Sequence, residues 1–182
     1  MTHAGKGGGA ARGRRRVLLA AAVLCGTLAT PAGPAAAAAG TAPVPACRGG
    51  QLAANSAARL GSTQVRITVV NEGPKPCVLT GHPTVALAAL GSPDRNKPLA
   101  VTREGTARPV LLRAGGTAET RVSFTPVLGE AEGYCASGAR PAVAPSLVVG
   151  IAATRFQLAP DDGGEFALCG TAMRATAFRA AS

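Results

Sequence analysis

Gln64-Val65-Arg66-Ile67-Thr68-Val69-Val70-Asn71 alternates apolar and polar residues with period two. Successive side chains of a strand point to opposite faces, so this stretch reads as a half-buried strand with Val65, Ile67 and Val69 inward. Thr117–Thr125 repeats the pattern, with Ala118, Thr120, Val122 and Phe124 on one face and Glu119, Arg121 and Ser123 on the other. Thr84–Leu90 is a further strand, and Ser146–Ala152 is an apolar run fit for a central one. Shorter strand pieces lie at Cys77–Leu79, Leu99–Thr102, Val110–Leu112 and Arg155–Leu158, and Met173–Arg179 alternates as a last strand. Asn71–Pro76, Gly81–Pro83, Gly91–Pro98, Arg113–Gly116 and Asp161–Gly164 carry the Gly, Pro, Asn and Asp punctuation of turns and loops. Leu128–Pro145 reads as irregular, and Leu52–Ala58 is helical on propensity alone. Some seven short strands separated by turns predict an all-β sandwich.

The chain has 182 residues, a length suited to one domain. It has no Trp, one Tyr and four Phe, so its core must come from Val, Leu, Ile and Ala. Such a core buries less apolar area per residue and gains from cross-links. The formal net charge is +10, but Lys6, Arg12, Arg14, Arg15 and Arg16 all fall in the first sixteen residues. Beyond them 14 basic residues face 9 acidic ones, scattered singly, which argues against a nucleic-acid partner.

The N-terminus reads as an export signal. A basic stretch without acids ends in Arg14-Arg15-Arg16, an apolar run extends from Val17 to about Ala29, and small residues follow to Ala39. These are the n-region, h-region and cleavage site of a secretory signal peptide, assigned to residues 1–39. The run is too short to span a bilayer, which takes roughly 20 apolar residues, and no later segment is long enough. Arg14-Arg15-Arg16-Val17-Leu18 resembles a twin-arginine motif but reads as an ordinary Arg-rich n-region. Leu24 is too large for a lipobox, so Cys25 reads as an h-region residue lost on cleavage. Residues 40–46 form a short linker, and the domain is assigned to residues 47–182.

Four cysteines remain: Cys47, Cys77, Cys135 and Cys169. An even number in an exported chain implies disulfides, with three connectivities open. Spacing favours Cys47–Cys77 and Cys135–Cys169, each closing a loop of about thirty residues for roughly 3–4 kcal/mol. A zinc or redox site needs close ligand pairs such as C-x-x-C, which are absent.

Three local patterns align with a known family. They are Cys47 with Leu52 five residues on; Val69-Val70-Asn71-Glu72-Gly73-x-x-x-Cys77-Val78-Leu79-x-Gly81-His82-Pro83; and Leu111-Leu112-x-x-Gly115-Gly116-Thr117-Ala118 with later Cys135 and Cys169. Together, over residues 46–179, they resemble the exported actinobacterial family called "domain of unknown function 4232". The family usually has an aromatic where His82 stands. The resemblance implies an immunoglobulin-like antiparallel β-sandwich outside the membrane, and no activity. On physical grounds Asn71 and Gly73 suit a turn needing positive φ or a tight bend, and Gly115-Gly116 a strand-to-strand turn.

No catalytic set is evident. His82 is the sole histidine of the mature chain and sits in a Gly-x-Pro turn, and no G-x-S-x-G motif occurs. Glu130 with Glu132, and Asp161 with Asp162, lie in Gly-rich loops and read as solvated turn acids. Asp161-Asp162-Gly163-Gly164-Glu165 lacks the order of a calcium loop. The expectation is a non-enzymatic exported interaction module without cofactor or metal. Its partner is a protein or cell-wall component, met at the loops Asn71–Pro76, Gly91–Pro98 and Leu128–Pro145. The competing readings are a hydrolase using His82 with Glu130 and Glu132, and a purely structural accessory domain.

Overall fold

The computed structural model describes residues 42–129 and 133–181. The assigned leader, Cys25 included, and the pair Glu130 and Glu132 lie outside the described residues. The compact unit that holds the domain runs Thr41–Ser182.

A 3-10 turn, Gly49–Gln51, leads into β1 (Leu52–Ala53) and β2 (Ser56–Arg59). Then follow β3 (Gln64–Asn71), β4 (Cys77–Leu79), β5 (Thr84–Ala88), β6 (Lys97–Pro98), β7 (Ala100–Glu104), β8 (Val110–Leu112) and β9 (Thr117–Pro126). The chain ends with β10 (Pro141–Ala144), β11 (Ser146–Ile151), β12 (Thr154–Pro160), β13 (Phe166–Thr176) and β14 (Arg179–Ala180). Twelve strands form one sheet, a strongly curled half-barrel in the order β10-β13-β9-β3-β2-β12-β11-β5-β6, with β1 on β3, β14 on β9 and β7 on β13. β4 and β8 make a separate two-stranded sheet. The all-β expectation and both disulfides hold.

The alternating stretches behave as their periods require. Val65, Ile67 and Val69 are fully buried, as are Ala118, Thr120 and Val122 on β9. β3 and β9 pair antiparallel with Val65 opposite Val122 and Ile67 opposite Thr120. The core spreads from these to Leu147, Val149 and Ile151 of β11, Leu158 of β12, Phe166, Leu168 and Met173 of β13, and Leu79 and Leu112 of the small sheet. β11 is apolar almost throughout because both of its faces are covered, Val148 packing outward with Ala86 and Ala88.

Several expectations are corrected. The sheet is mixed: Ala159 of β12 pairs parallel with Ser56 of β2, and Ala172–Thr176 of β13 pair parallel with β7. Leu52–Ala58 is not helical, because β1 and β2 both bind along one edge of β3. Alanine's helix preference is a fraction of a kcal/mol per residue and yields to a ladder of hydrogen bonds. The Leu128–Pro145 segment is not wholly irregular, since β10 pairs with Phe166–Cys169 of β13. The last long strand begins at Phe166, well before Met173. It contains a bulge: Leu168 faces Pro126 and Met173 faces Phe124, so five steps on β13 match two on β9. Extra residues in one strand bend it and sharpen its twist. The Cys135–Cys169 disulfide (Cα–Cα 5.5 Å) is anchored at this bulge.

Ala152 and Ala153 join β11 to β12 in a two-residue hairpin, with φ of 47° and 64°. Such a turn suits Asn-Gly, because a Cβ in the left-handed region is disfavoured by roughly 1–2 kcal/mol. Ala153 is exposed and free to change. Ala153→Gly is expected to raise unfolding free energy by about 0.5–1 kcal/mol, the relief of strain less the extra chain entropy of glycine. Urea midpoints of the two proteins check this.

Candidate functional surfaces

The loop that follows β3 is held from beneath by Asn71. Its side chain is fully buried. The Nδ2 group donates to the carbonyls of Lys75 (2.9 Å), Leu112 (3.1 Å) and Arg113 (3.2 Å), while Oδ1 accepts from the Gly73 N–H at 3.0 Å. Its backbone N–H donates to Gly116 and its carbonyl accepts from Gly115, at 2.9 and 2.8 Å. Neither Asn71 nor Gly73 takes a positive φ. Asn71 ends the strand, and Gly73 serves the tight bend: a Cβ there would lie 3.1 Å from Asn71 Oδ1 and 3.2 Å from Gln51. Gly115 does have the left-handed φ, +72°. The Cys47–Cys77 disulfide (Cα–Cα 4.7 Å) ties the same loop to the start of the domain. Over this frame Val44, Pro74, Pro76, Leu111, Arg113 and Ala114 line a shallow apolar hollow of about 430 Å³.

The other two loops come together. Gly91–Pro98 is pinned by Gln157 Nε2 donating to the Ala89 carbonyl (2.7 Å), by Asn96 Nδ2 donating to the Pro93 carbonyl (2.6 Å) and by an Arg155–Asp94 pair at 3.5 Å. Its Arg95 and Lys97 line a hollow of about 380 Å³ with Leu87, Ala88 and Ala89 of the β5 side and Pro141–Ala144 of β10. β10 stands at one end of the strand order and pairs only with β13 among the described residues, so its second edge is unpaired, and all four of its residues line this hollow. Val143 on that strand is 55% exposed. The sequence hid this edge, because Pro-Ala-Val-Ala shows no clear alternation.

The residues weighed for catalysis are engaged otherwise. His82 Nε2 lies 3.1 Å from the Glu104 carbonyl oxygen, tying the Gly81–Pro83 turn to β7. Asp161 Oδ1 accepts the Arg59 N–H at 3.0 Å. Asp162 binds the Arg59 guanidinium and accepts the Gly164 N–H at 3.0 Å. Arg59 also donates to the Glu165 carbonyl and lies 5.8 Å over the Phe166 ring. Asp161 and Asp162 close this turn around Arg59. The Arg59 hydrogen bond, with help from the Gly164 N–H, holds the Asp162 carboxyl below its ordinary range.

Residues 47–179 match a family model described as a domain of unknown function, DUF4232. The chain belongs to this family. No curated protein and no solved structure matches it. The DUF4232 match begins at Cys47 and ends at Arg179, the first residue of β14, so it takes in both disulfides and nearly the whole sheet. Disulfides form and persist in oxidising compartments, and the two of this DUF4232 domain point to one. Among the described residues no helix is long and apolar enough to cross a membrane.

Asn71→Ala leaves the Leu112 carbonyl and the Gly73 N–H without their partner. The expected loss is about 2–4 kcal/mol in denaturant unfolding, with both disulfides intact. Asp162 gives a second prediction. Its folded pKa is depressed, so its contribution is present above the unfolded value and is lost as pH falls through the folded one. Asp162→Asn is expected to flatten part of the stability decline below about pH 4, read as thermal midpoint against pH.

Proposed function

We propose that the chain is an exported, non-enzymatic interaction module that meets an acidic protein or cell-wall component at the hollow beside β10. The observation that carries this is the hollow itself. It joins an unpaired strand edge, an exposed Val143 and the cations Arg95 and Lys97 on one surface. An unpaired edge offers backbone donors and acceptors to an extended partner segment, and side chains beside it supply selectivity. Export is supported by the two disulfides and by the leader pattern of residues 1–39. The immunoglobulin-like class belongs to the same proposal, supported by the alternation of β3 and β9 and a shared core between the large and small sheets. A hydrolase acting through His82 is the weaker reading, because the Glu104 carbonyl gives that imidazole a turn-fixing partner.

A photo-crosslinking residue at Val143, in the protein exported by its own host, tests the surface. The expected result is a discrete adduct that disappears when Arg95 and Lys97 are both changed to Glu. Absence of any adduct, or the same adduct from a crosslinker at exposed Arg48, overturns the proposal.

A further inference from the structure

The outward face of β3, β9 and β13 carries a set of opposed charges. Alternation puts Gln64, Arg66 and Thr68 of β3 on this face, with Glu119, Arg121 and Ser123 of β9 beside them. Arg174 stands opposite Ser123 on β13, and Arg179 of β14 opposite Glu119. The register sets Arg66 directly across from Arg121. Like charges directly opposite each other in an antiparallel pair are destabilising.

The acids on the face are already committed. Arg179 donates to Glu119 at 2.6 and 2.9 Å, while Arg66 reaches the same carboxylate only at 4.0 Å. Glu104 lies 3.7 Å from Arg174. Arg121 has no acid within ion-pair distance among the described residues. Its Nε is buried and without an acceptor. The neighbouring Thr176 Oγ1 is taken by the Arg121 backbone N–H at 3.0 Å. Buried N–H groups nearly always have partners, and one that lacks them calls for an explanation.

We propose that Arg66 and Arg121 form an oxyanion site that holds a phosphate group. Guanidinium forks bind phosphate through paired N–H donors, and a tetrahedral anion offers oxygens to two forks in different planes. The orphaned Nε of Arg121 is the donor that such an oxygen would satisfy. The anion also removes the repulsion between the two arginines. Arg174, across from Ser123 in the adjacent row and 3.7 Å from Glu104, extends the basic face, so the phosphate is either a free ion or one of a series along a polymer. This site lies on the polar sheet face and is independent of the hollow beside β10.

The exported protein, with both disulfides intact, is titrated at low salt with inorganic phosphate and with short-chain polyphosphate. Binding is followed by calorimetry. Affinity for the preferred probe is expected to fall by at least about tenfold in Arg121→Gln and in Arg66→Gln. It is expected to stay within about twofold in Arg140→Gln, which removes an exposed charge elsewhere. Polyphosphate binding much tighter than inorganic phosphate identifies a polymer as the source, and comparable binding identifies the free ion. Failure of both probes to bind, undiminished binding in Arg121→Gln, or an equal loss in Arg140→Gln overturns the site. A thermal shift gives a second readout: phosphate is expected to raise the midpoint of the parent protein and not that of Arg121→Gln. Equal shifts in both count against the proposal.

Discussion

A single buried amide fixes how the two sheets meet. Asn71 closes the last position of β3, and its side chain binds backbone from the loop after it and from the end of β8. Its own backbone binds Gly115 and Gly116 in the turn that leads into β9. The strand pairing of β3 with β9 therefore runs straight into the contact between the large and small sheets. An alkyl side chain here would fill the space and deprive the buried Leu112 carbonyl, and three part-buried backbone groups, of this partner, so shape alone does not substitute for the amide. Asn71 is also where the Cys47–Cys77 cross-link takes over, because the loop it organises ends at Cys77.

The small aromatic inventory shapes the rest. Phe124, Phe166 and Phe178 are the large rings of the core, and Val, Leu and Ile supply the remainder. A sheet that curls brings more of these modest side chains together than a flat one. The bulge in β13 contributes to the bend, and the Cys135–Cys169 link staples the segment before β10 to that bulge. Curling also leaves the two ends of the strand order unclosed, which is why one hollow is lined by β10 on one side and by β5 and Lys97 on the other.

What could be read from sequence follows from what period two can report. β3 and β9 each have one wet and one dry face, so their inward residues were legible singly. β11, covered on both faces, showed as a continuous apolar run. β10 and the β1–β2 edge were not legible, because Ala and Pro carry little pattern and those strands exist through partners far away in the chain. Register is equally silent in sequence. Arg66 and Arg121 each fall on a polar face by alternation, but their opposition depends on how two strands nearly sixty residues apart slide into line. Asn71 read as a turn residue because its composition suits turns. Its burial depends on the β8–β9 turn, which arrives over forty residues later.

The parallel pair between β2 and β12 sets an order of assembly. Ser56 and Ala57 find Ala159 and Pro160 only after about a hundred intervening residues are available. β3 can cover one side of β2 early, through a short antiparallel turn, but the other side stays bare. A chain that emerges N-terminus first therefore holds an open strand edge until nearly all of it has appeared. Long-range pairing of this kind slows folding, and a bare edge in the interval invites pairing with other chains. The first disulfide closes by residue 77, long before that edge is covered, and so limits the wandering of the early half while the late half is awaited.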